Sequence, residues 1–149
     1  MENRDISRIL AEISEYLDMK DTPFKPRAYS KAADAVRDLE EDVSEIYKKD
    51  GIKGLSEISG VGASIAGKIE ELIKTGKLKY YEELKKDTPV KLDELTRVEG
   101  LGPKKIKRLH EKLGIKNLED LEKAAKEHKI RDLEDFGPKT EENILDGIT

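Results

Sequence analysis

Apolar residues recur every three or four positions along most of the chain, which is the periodicity of amphipathic helices. In the first such segment, from Ile6 to Leu17, they fall at positions i, i+3, i+4 and i+7. The same spacing predicts helices over about Arg27 to Glu40, Ala63 to Thr75, Lys104 to Leu113 and Leu118 to His128. The pattern therefore predicts an all-α protein.

Shorter helices and loops fill the intervals between these segments. A helix that begins at Val43 is predicted to stop at Asp50-Gly51, and another covers Leu78 to Lys86. Met19 to Pro26 is predicted to be a loop, since Asp-Thr-Pro and Lys-Pro both interrupt helices. The last helix is predicted to end near Gly147.

The pattern Gly-apolar-Gly occurs at residues 60–62 and again at residues 100–102, each time directly before a predicted helix. Glycines there permit positive φ and leave backbone N–H groups uncovered. Uncovered amides at a helix N-terminus bind an anionic oxygen, because the donors and the helix dipole point the same way. We therefore predict two helix-hairpin-helix motifs that bind nucleic-acid phosphates. The glycines predicted to make these contacts are Gly60, Gly62, Gly100 and Gly102.

A third copy of the pattern, at residues 130–139, has Asp135 where the other two copies have their first glycine. Aspartate tolerates left-handed geometry, but its carboxylate would repel a phosphate, so we interpret this copy as structural. Asp87-Thr88-Pro89 marks a seam in the chain. Two small helical subdomains are therefore expected, residues 1–86 and residues 87–149, each built around a helix-hairpin-helix motif.

Composition narrows the classes of function that the chain can have. None of the 149 residues is Cys and only two are His, which excludes disulfides and thiolate metal sites and argues against zinc. No apolar run approaches the roughly 18 residues of a membrane span, so a cytoplasmic protein without membrane contact is expected. The net charge is −4, yet residues 97–116 carry seven basic and two acidic side chains. This basic excess at the second hairpin suits a protein that contacts phosphates through one face.

One lysine is a candidate for chemistry, and one group of basic residues is a candidate for phosphate binding. At about 100° per residue, Lys68 lies beside the apolar stripe of its helix, where partial desolvation favours the neutral, nucleophilic amine. The alternative is a surface lysine whose stem covers apolar neighbours. The helix after the second hairpin carries a basic group that either contacts phosphates or forms a solvated face. Its members are Lys104, Lys105, Lys107, Arg108 and Lys112, and the first four of them are predicted to contact phosphates.

The order of several motifs along the chain is more specific than any one of them. These motifs are Tyr29-Ser30-Lys31-Ala32-Ala33, Gly60-Val61-Gly62 with Ile65-Ala66-Gly67-Lys68-Ile69, Thr75-Gly76-Lys77-Leu78, and Leu95-Thr96-Arg97-Val98-Glu99-Gly100-Leu101-Gly102-Pro103. In this order they resemble the N-terminal region of family X DNA polymerases, the group of DNA polymerase beta. Within this family the resemblance favours a prokaryotic member. The resemblance covers essentially the whole chain. It implies a lyase-type first half that binds the 5′-phosphate side of a gap and a second half that grips duplex DNA.

The resemblance also implies roles for individual residues. It places Lys68 at the Schiff-base lysine of lyase members, and Tyr29 at the tyrosine that positions this lysine. Lys25 matches a basic residue of the 5′-phosphate pocket, and Lys31 and Ser64 are further predicted phosphate contacts. Each hairpin is implied to hold a monovalent cation, sodium or potassium, through backbone carbonyls. These carbonyls belong to Ser56, Ile58 and Val61, and to Thr96, Val98 and Leu101.

Four positions depart from the family's pattern. Ser64 and Tyr80 each stand where the family has a lysine, Ser56 replaces another lysine, and Phe24 replaces a histidine. Fewer cations weaken the grip on a 5′-phosphate. Lyase activity is therefore left open, although Lys68 is present.

The chain is expected to bind gapped or nicked DNA through backbone phosphates, without reading sequence, as the monomeric DNA-binding portion of a repair polymerase. The alternative is a non-catalytic scaffold that recruits other base excision repair proteins. The three aspartates and Gly-Ser motif of the family's polymerase palm are missing, so polymerisation is not expected of this chain. A catalytic remainder with divalent metal is expected beyond Thr149, and no cofactor besides the monovalent cations is expected in this chain.

Overall fold

The structure is a computed structural model that describes residues 1–20, 22–23 and 25–148. Within those residues the regular secondary structure is entirely helical, which confirms the predicted all-α fold. In chain order the helices are α1 (Asn3–Met19), α2 (Lys25–Arg37), α3 (Val43–Ser56), α4 (Ala63–Thr75), α5 (Lys79–Asp87), α6 (Leu92–Leu95), α7 (Pro103–Leu113), α8 (Leu118–Lys126) and α9 (Pro138–Ile148).

The chain divides into two compact units, and the first of them is Met1–Lys86. Here α1 packs along α2, and α3 packs along α4. The apolar stripe of α1 is buried as its spacing predicts, with Ile6 and Ile13 fully inaccessible to solvent. They share the core with Ala32 and Val36 of α2, where the small alanine allows the two helices to approach closely.

The second unit is Asp87–Thr149. Here α6 contacts α7, and α8 packs along α9. The core is formed by apolar side chains at helical spacing, including Leu95 of α6, Ile106 and Leu109 of α7, and Leu121 of α8. The basic side chains of α7 therefore lie on the faces of that helix that do not enter the core.

The start of α2 and the course of α3 differ from the sequence predictions. Helix α2 begins at Lys25 rather than Arg27, so Lys25 and Pro26 are not in the predicted loop. Proline is tolerated in a first helical turn, because the amide it lacks has no helical partner there. Helix α3 does not stop at Gly51, where φ is 67°, but is kinked and continues to Ser56.

The end of α8 also differs from the prediction, whereas that of α9 agrees with it. Helix α8 ends at Lys126, before the predicted His128, because His128 adopts a positive φ of 61°. Helix α9 ends at Ile148, near Gly147 as predicted, and Gly147 lies in its last turn. A Cβ at this position would lie 3.2 Å from Cγ1 of Val98, so the glycine allows α9 to approach the second hairpin.

Candidate nucleic-acid interface

The first hairpin turns between the end of α3 and the start of α4. A hydrogen bond from the Val61 amide to the Ile58 carbonyl (2.9 Å) closes the turn, and Gly60 has a φ of 95°. Gly60 also packs against α2, since a Cβ there would lie 3.3 Å from the Cβ of Ala35. Both features require a residue without a side chain.

The N-terminus of α4 opens directly after this turn. Gly62 is the N-cap and offers no capping side chain. The first helical hydrogen bond joins the Ala66 amide to the Gly62 carbonyl (2.9 Å), so the amides of residues 63–65 have no carbonyl partner within the helix. These amides and the positive end of the helix dipole together suit an anionic oxygen.

A cavity of about 530 Å³ lies beside the first hairpin. Its walls include every residue of the first unit that the sequence indicated for phosphate binding or lyase chemistry: Lys25, Tyr29, Lys31, Gly60, Gly62, Ser64 and Lys68. The other walls are apolar or aromatic, formed by Ala28, Ala63, Ile65 and Tyr80. No carboxylate of the described residues lines the cavity, so its walls carry only positive charge. We call it the first-hairpin cavity.

Two contacts hold the ammonium group of Lys68 at the wall of this cavity. Its Nζ lies 3.3 Å from the Oγ of Ser64, one turn earlier in α4. The same Nζ lies 4.8 Å from the centroid of the Tyr80 ring, which is within the range of a cation–π interaction. Lys68 is partly buried, so its side chain is directed along the cavity wall rather than into bulk solvent.

The predicted positioning residue Tyr29 is only 5% exposed, and its ring stacks on that of Tyr80 with centroids 6.1 Å apart. Burial and the neighbouring Tyr80 raise the pKa of the Tyr29 hydroxyl above its usual range, and burial also raises the pKa of Tyr80. Both hydroxyls are therefore protonated at neutral pH. Sequence reasoning did not identify Tyr80 as a site residue, and its only signal was the departure from the family's lysine.

The second hairpin repeats the backbone geometry of the first. The Leu101 amide donates to the Val98 carbonyl (3.1 Å), and Gly100 has a φ of 87°. Gly102 is the N-cap of α7. One difference lies in Pro103, the first residue of α7, which has no N–H group. Two amides are therefore open at this helix, against three at α4.

A second cavity, of about 610 Å³, lies beside the second hairpin and α9. Its walls include Gly100 and Lys105, but also the carboxylates of Glu99 and Asp146. This mixed charge does not favour an anion. The structure therefore does not gather the other predicted phosphate contacts of α7 into a cavity, and places them along the helix surface. These are Lys104, Lys107 and Arg108.

The third hairpin has the same turn, closed by the Phe136 amide and the Leu133 carbonyl (3.0 Å). Asp135 has a φ of 72°, so it adopts the left-handed geometry that its position requires. Its carboxylate forms an ion pair with the guanidinium group of Arg108, which also donates to the Glu134 carbonyl (3.4 Å). Arg108 is therefore tied to the third hairpin.

A buried carboxylate that no sequence pattern indicated also stabilises the third hairpin through hydrogen bonds. Glu141 of α9 is 1% exposed and accepts hydrogen bonds from the amides of Ile130 and Arg131 (both 3.2 Å) and from Nε of Arg131 (2.7 Å). Nδ1 of His128 lies 3.1 Å from the same carboxylate. Burial alone would raise the pKa of Glu141, but the hydrogen bonds from His128 and Arg131 outweigh it and lower the pKa.

The remaining predictions concern cations, membranes and one residue outside the described ranges. The Ile58 and Val98 carbonyls each accept one turn amide and keep one lone pair for a further ligand. Over residues 1–20, 22–23 and 25–148, no cluster of three or more His, Asp or Glu side chains is arranged to hold a metal ion. Over the same residues no helix is long and apolar enough to cross a membrane. Phe24 lies outside the described residues.

Comparison with known proteins supports both hairpin regions. Residues 1–78 match the family model of the helix-hairpin-helix domain, and residues 92–149 match that of the SAM-like helix-hairpin-helix tandem. The chain is 38% identical over 149 residues to a protein named DNA polymerase/3'-5' exonuclease PolX from Bacillus subtilis (strain 168). That match covers 99% of this chain and 25% of the relative, so the chain spans about a quarter of the length of the relative it matches. The resemblance to prokaryotic family X polymerases is confirmed.

Proposed function

Because this chain belongs to the helix-hairpin-helix domain family, and because the whole of it matches one quarter of a prokaryotic family X polymerase, we propose that it binds gapped or nicked DNA through backbone phosphates. The observation that carries the proposal is the first-hairpin cavity. Its walls combine Lys25, Lys31 and Lys68 with the open amides of α4, and none of the described carboxylates lines it. A 5′-phosphate at a gap has the charge and the acceptor oxygens that such donors bind.

The second hairpin contributes duplex affinity in this proposal. Its open amides and the basic residues of α7 contact phosphates of the duplex, which positions the DNA without reading base sequence. Each contact releases counterions from the DNA, so affinity for the duplex should fall steeply as salt rises.

Charge reversal on α7 tests the binding proposal. In a titration with gapped, 5′-phosphorylated duplex, Lys104→Glu with Lys107→Glu should weaken binding at least about tenfold and flatten its salt dependence. The matched control is Lys123→Glu with Lys126→Glu on α8, which changes the net charge equally. Equal losses in both double variants would contradict a specific role for α7. No binding of the wild type at low salt would favour a scaffold that recruits repair proteins.

A second activity follows from Lys68, because its amine lies in the same cavity as the proposed 5′-phosphate site. In this proposal the neutral amine attacks the C1′ aldehyde of a 5′-deoxyribose phosphate, and water leaves to form an imine. Water then takes up a C2′ proton, the C3′–O bond breaks, and the strand leaves with its 5′-phosphate. A second water hydrolyses the remaining unsaturated imine, which releases the sugar phosphate and frees Lys68. Borohydride should trap the imine as a covalent adduct, and Lys68→Ala should abolish trapping. An adduct that persists in Lys68→Ala would eliminate this role.

We also propose that each of the first two hairpins holds a monovalent cation. The carbonyls that would bind it are those of Ser56, Ile58 and Val61, and of Thr96, Val98 and Leu101. The cation would screen the repulsion between these carbonyls and a nearby phosphate. Replacing sodium by a bulky organic cation should shift the amide signals of both turns, and unchanged signals would exclude the sites.

A further inference from the structure

We propose that Tyr80 makes the first-hairpin cavity bind a 5′-terminal nucleotide that retains its base more tightly than an abasic sugar phosphate or a free phosphate. This preference concerns non-covalent binding, and the imine that Lys68 is proposed to form with an abasic sugar is a separate, covalent step. The inference rests on the proposed function, since it concerns what that cavity takes in addition to a phosphate group. Tyr80 would act as a specificity-determining residue through contact with the sugar and the base.

The size and the lining of the cavity exceed what a phosphate group needs. At about 530 Å³ the cavity lies within the range of small-molecule sites, which is roughly 300 to 1,000 Å³. Its cationic donors are three lysines, whereas Ala28, Ala63, Ile65 and Tyr80 offer carbon surface. Carbon surface does not bind phosphate oxygens, but it favours burial of a sugar or a base.

The Tyr80 ring is held in place before any ligand binds. It stacks on Tyr29 at 6.1 Å with the two ring planes 20° apart, and Tyr29 is itself buried in the core of the first unit. Tyr80 remains partly exposed and lines the cavity. A fixed aromatic ring binds a base with little further loss of side-chain freedom, and stacking on it tolerates any base.

The phosphate donors and the aromatic ring are close enough to bind one nucleotide. Nζ of Lys68 lies 4.8 Å from the centroid of the Tyr80 ring, and the open amides of α4 belong to the same cavity wall. A phosphate bound by Lys68 therefore brings its attached nucleoside within reach of Tyr80. Positive charge beside an aromatic ring complements a negatively charged group attached to a flat base, which is the chemistry of a nucleotide.

Four soluble probes test the inference: deoxyadenosine monophosphate, thymidine monophosphate, inorganic phosphate, and a deoxyribose 5-phosphate that carries hydrogen in place of the C1′ hydroxyl, so that it cannot form an imine with Lys68. Each is titrated into the full chain, and the amide signals of residues 60–68 are followed. Deoxyadenosine monophosphate should bind at least about fivefold more tightly than deoxyribose 5-phosphate, and thymidine monophosphate should fall between them. Tyr80→Leu should remove this difference, whereas Tyr80→Phe, which keeps the ring, should preserve it.

The outcomes separate this inference from the function on which it rests. Equal affinity of wild type for deoxyadenosine monophosphate and deoxyribose 5-phosphate would overturn the role of Tyr80 and leave the phosphate site intact. The role of Tyr80 is also overturned if Tyr80→Leu keeps the wild-type ratio while still binding inorganic phosphate. If none of the four probes shifts the signals of residues 60–68 at millimolar concentration, the phosphate site itself is contradicted, and the inference with it.

Discussion

The first two glycine hairpins share one backbone geometry but have opposite electrostatic surroundings. Each turn is closed by the same type of hydrogen bond and has a glycine at positive φ, 95° at Gly60 and 87° at Gly100. The cavity beside the first turn is lined by three lysines and no described carboxylate, whereas the cavity beside the second has one lysine and two carboxylates. The same motif thus lies beside a recessed, positively charged cavity in one unit and beside a basic helix surface in the other.

Much of the difference comes from the helix that packs on each turn. Helix α2 packs on the first turn and brings Lys25 and Lys31 to its cavity. Helix α9 packs on the second turn through Gly147 and brings Asp146 to the corresponding cavity. The second turn adds a carboxylate of its own, because Glu99 precedes Gly100 where Ser59 precedes Gly60. The hairpin therefore supplies the amides, and the packing helix together with this turn residue decides whether an anion is also attracted by charge.

The largest expected effect concerns how tightly the two turns are packed. Gly60→Ala combines positive φ with a Cβ 3.3 Å from that of Ala35, so we expect a loss of about 3 kcal/mol in the stability of the first unit. Gly100→Ala meets no atom within 4 Å and should cost the second unit only about 1 to 2 kcal/mol for the strained φ. Urea unfolding followed by residue-resolved signals measures both. Equal losses would show that the packing of α2 on the turn adds nothing.

Sequence reasoning recovered the features that local patterns determine. The helical periodicity, the two hairpins and the positive φ of Asp135 depend on short stretches of chain, and the structure bears them out. The residues that line the first-hairpin cavity were named in advance except for the small apolar ones and Tyr80.

The features that were missed depend on contacts between distant segments. Tyr80 acquires its place from Tyr29, which belongs to another helix, and Glu141 becomes buried only because residues 130 and 131 turn their amides toward it. A tyrosine or glutamate with such neighbours has no characteristic spacing in the sequence.

The stabilities of the two units should also change with pH in opposite directions. In the first unit the group responsible is Glu15. Burial and the charge of Glu12 raise the pKa of Glu15 to about 7. A folded-state pKa above the unfolded value means that stability is greatest at low pH and falls as pH rises through about 7. Glu15→Gln should therefore raise the stability of the first unit by about 2 kcal/mol at pH 8 and leave it nearly unchanged near pH 4.

In the second unit the lowered pKa of Glu141 gives the opposite response. The stabilising contribution of Glu141 is present above its pKa in the unfolded chain, about 4.5. It is lost as the pH falls through the lower pKa that Glu141 has in the folded protein. Glu141→Gln should destabilise the second unit by about 2 kcal/mol at pH 7 and reduce its loss of stability in acid. Thermal unfolding with residue-resolved signals separates the units. Parallel pH profiles in the two units would contradict the assignment.

The next prediction separates what each hairpin recognises. Lys68→Gln should lower the preference for a gap with a 5′-phosphate over one with a 5′-hydroxyl by about tenfold, because a charged donor to that phosphate is lost. Lys104→Gln should weaken binding to both gaps by the same factor, because its phosphate partners are present in each. Six binding titrations, of the wild type and the two variants with each gap, give the three ratios. A loss of preference in Lys104→Gln would mean that the second hairpin also contacts the 5′ end.

The smallest expected effect concerns Arg108, whose guanidinium group is paired with Asp135 of the third hairpin. Asp135→Asn keeps a residue that tolerates positive φ but removes the carboxylate that pairs with Arg108. Release of the guanidinium group should tighten duplex binding about twofold to threefold and steepen its salt dependence by about one phosphate contact. The preference for a 5′-phosphate should not change, since Lys68 belongs to the other unit. Asp132→Asn removes an equal charge from the same hairpin without touching that ion pair. An equal gain in this control would assign the effect to net charge, and a gain confined to Asp135→Asn would assign it to Arg108.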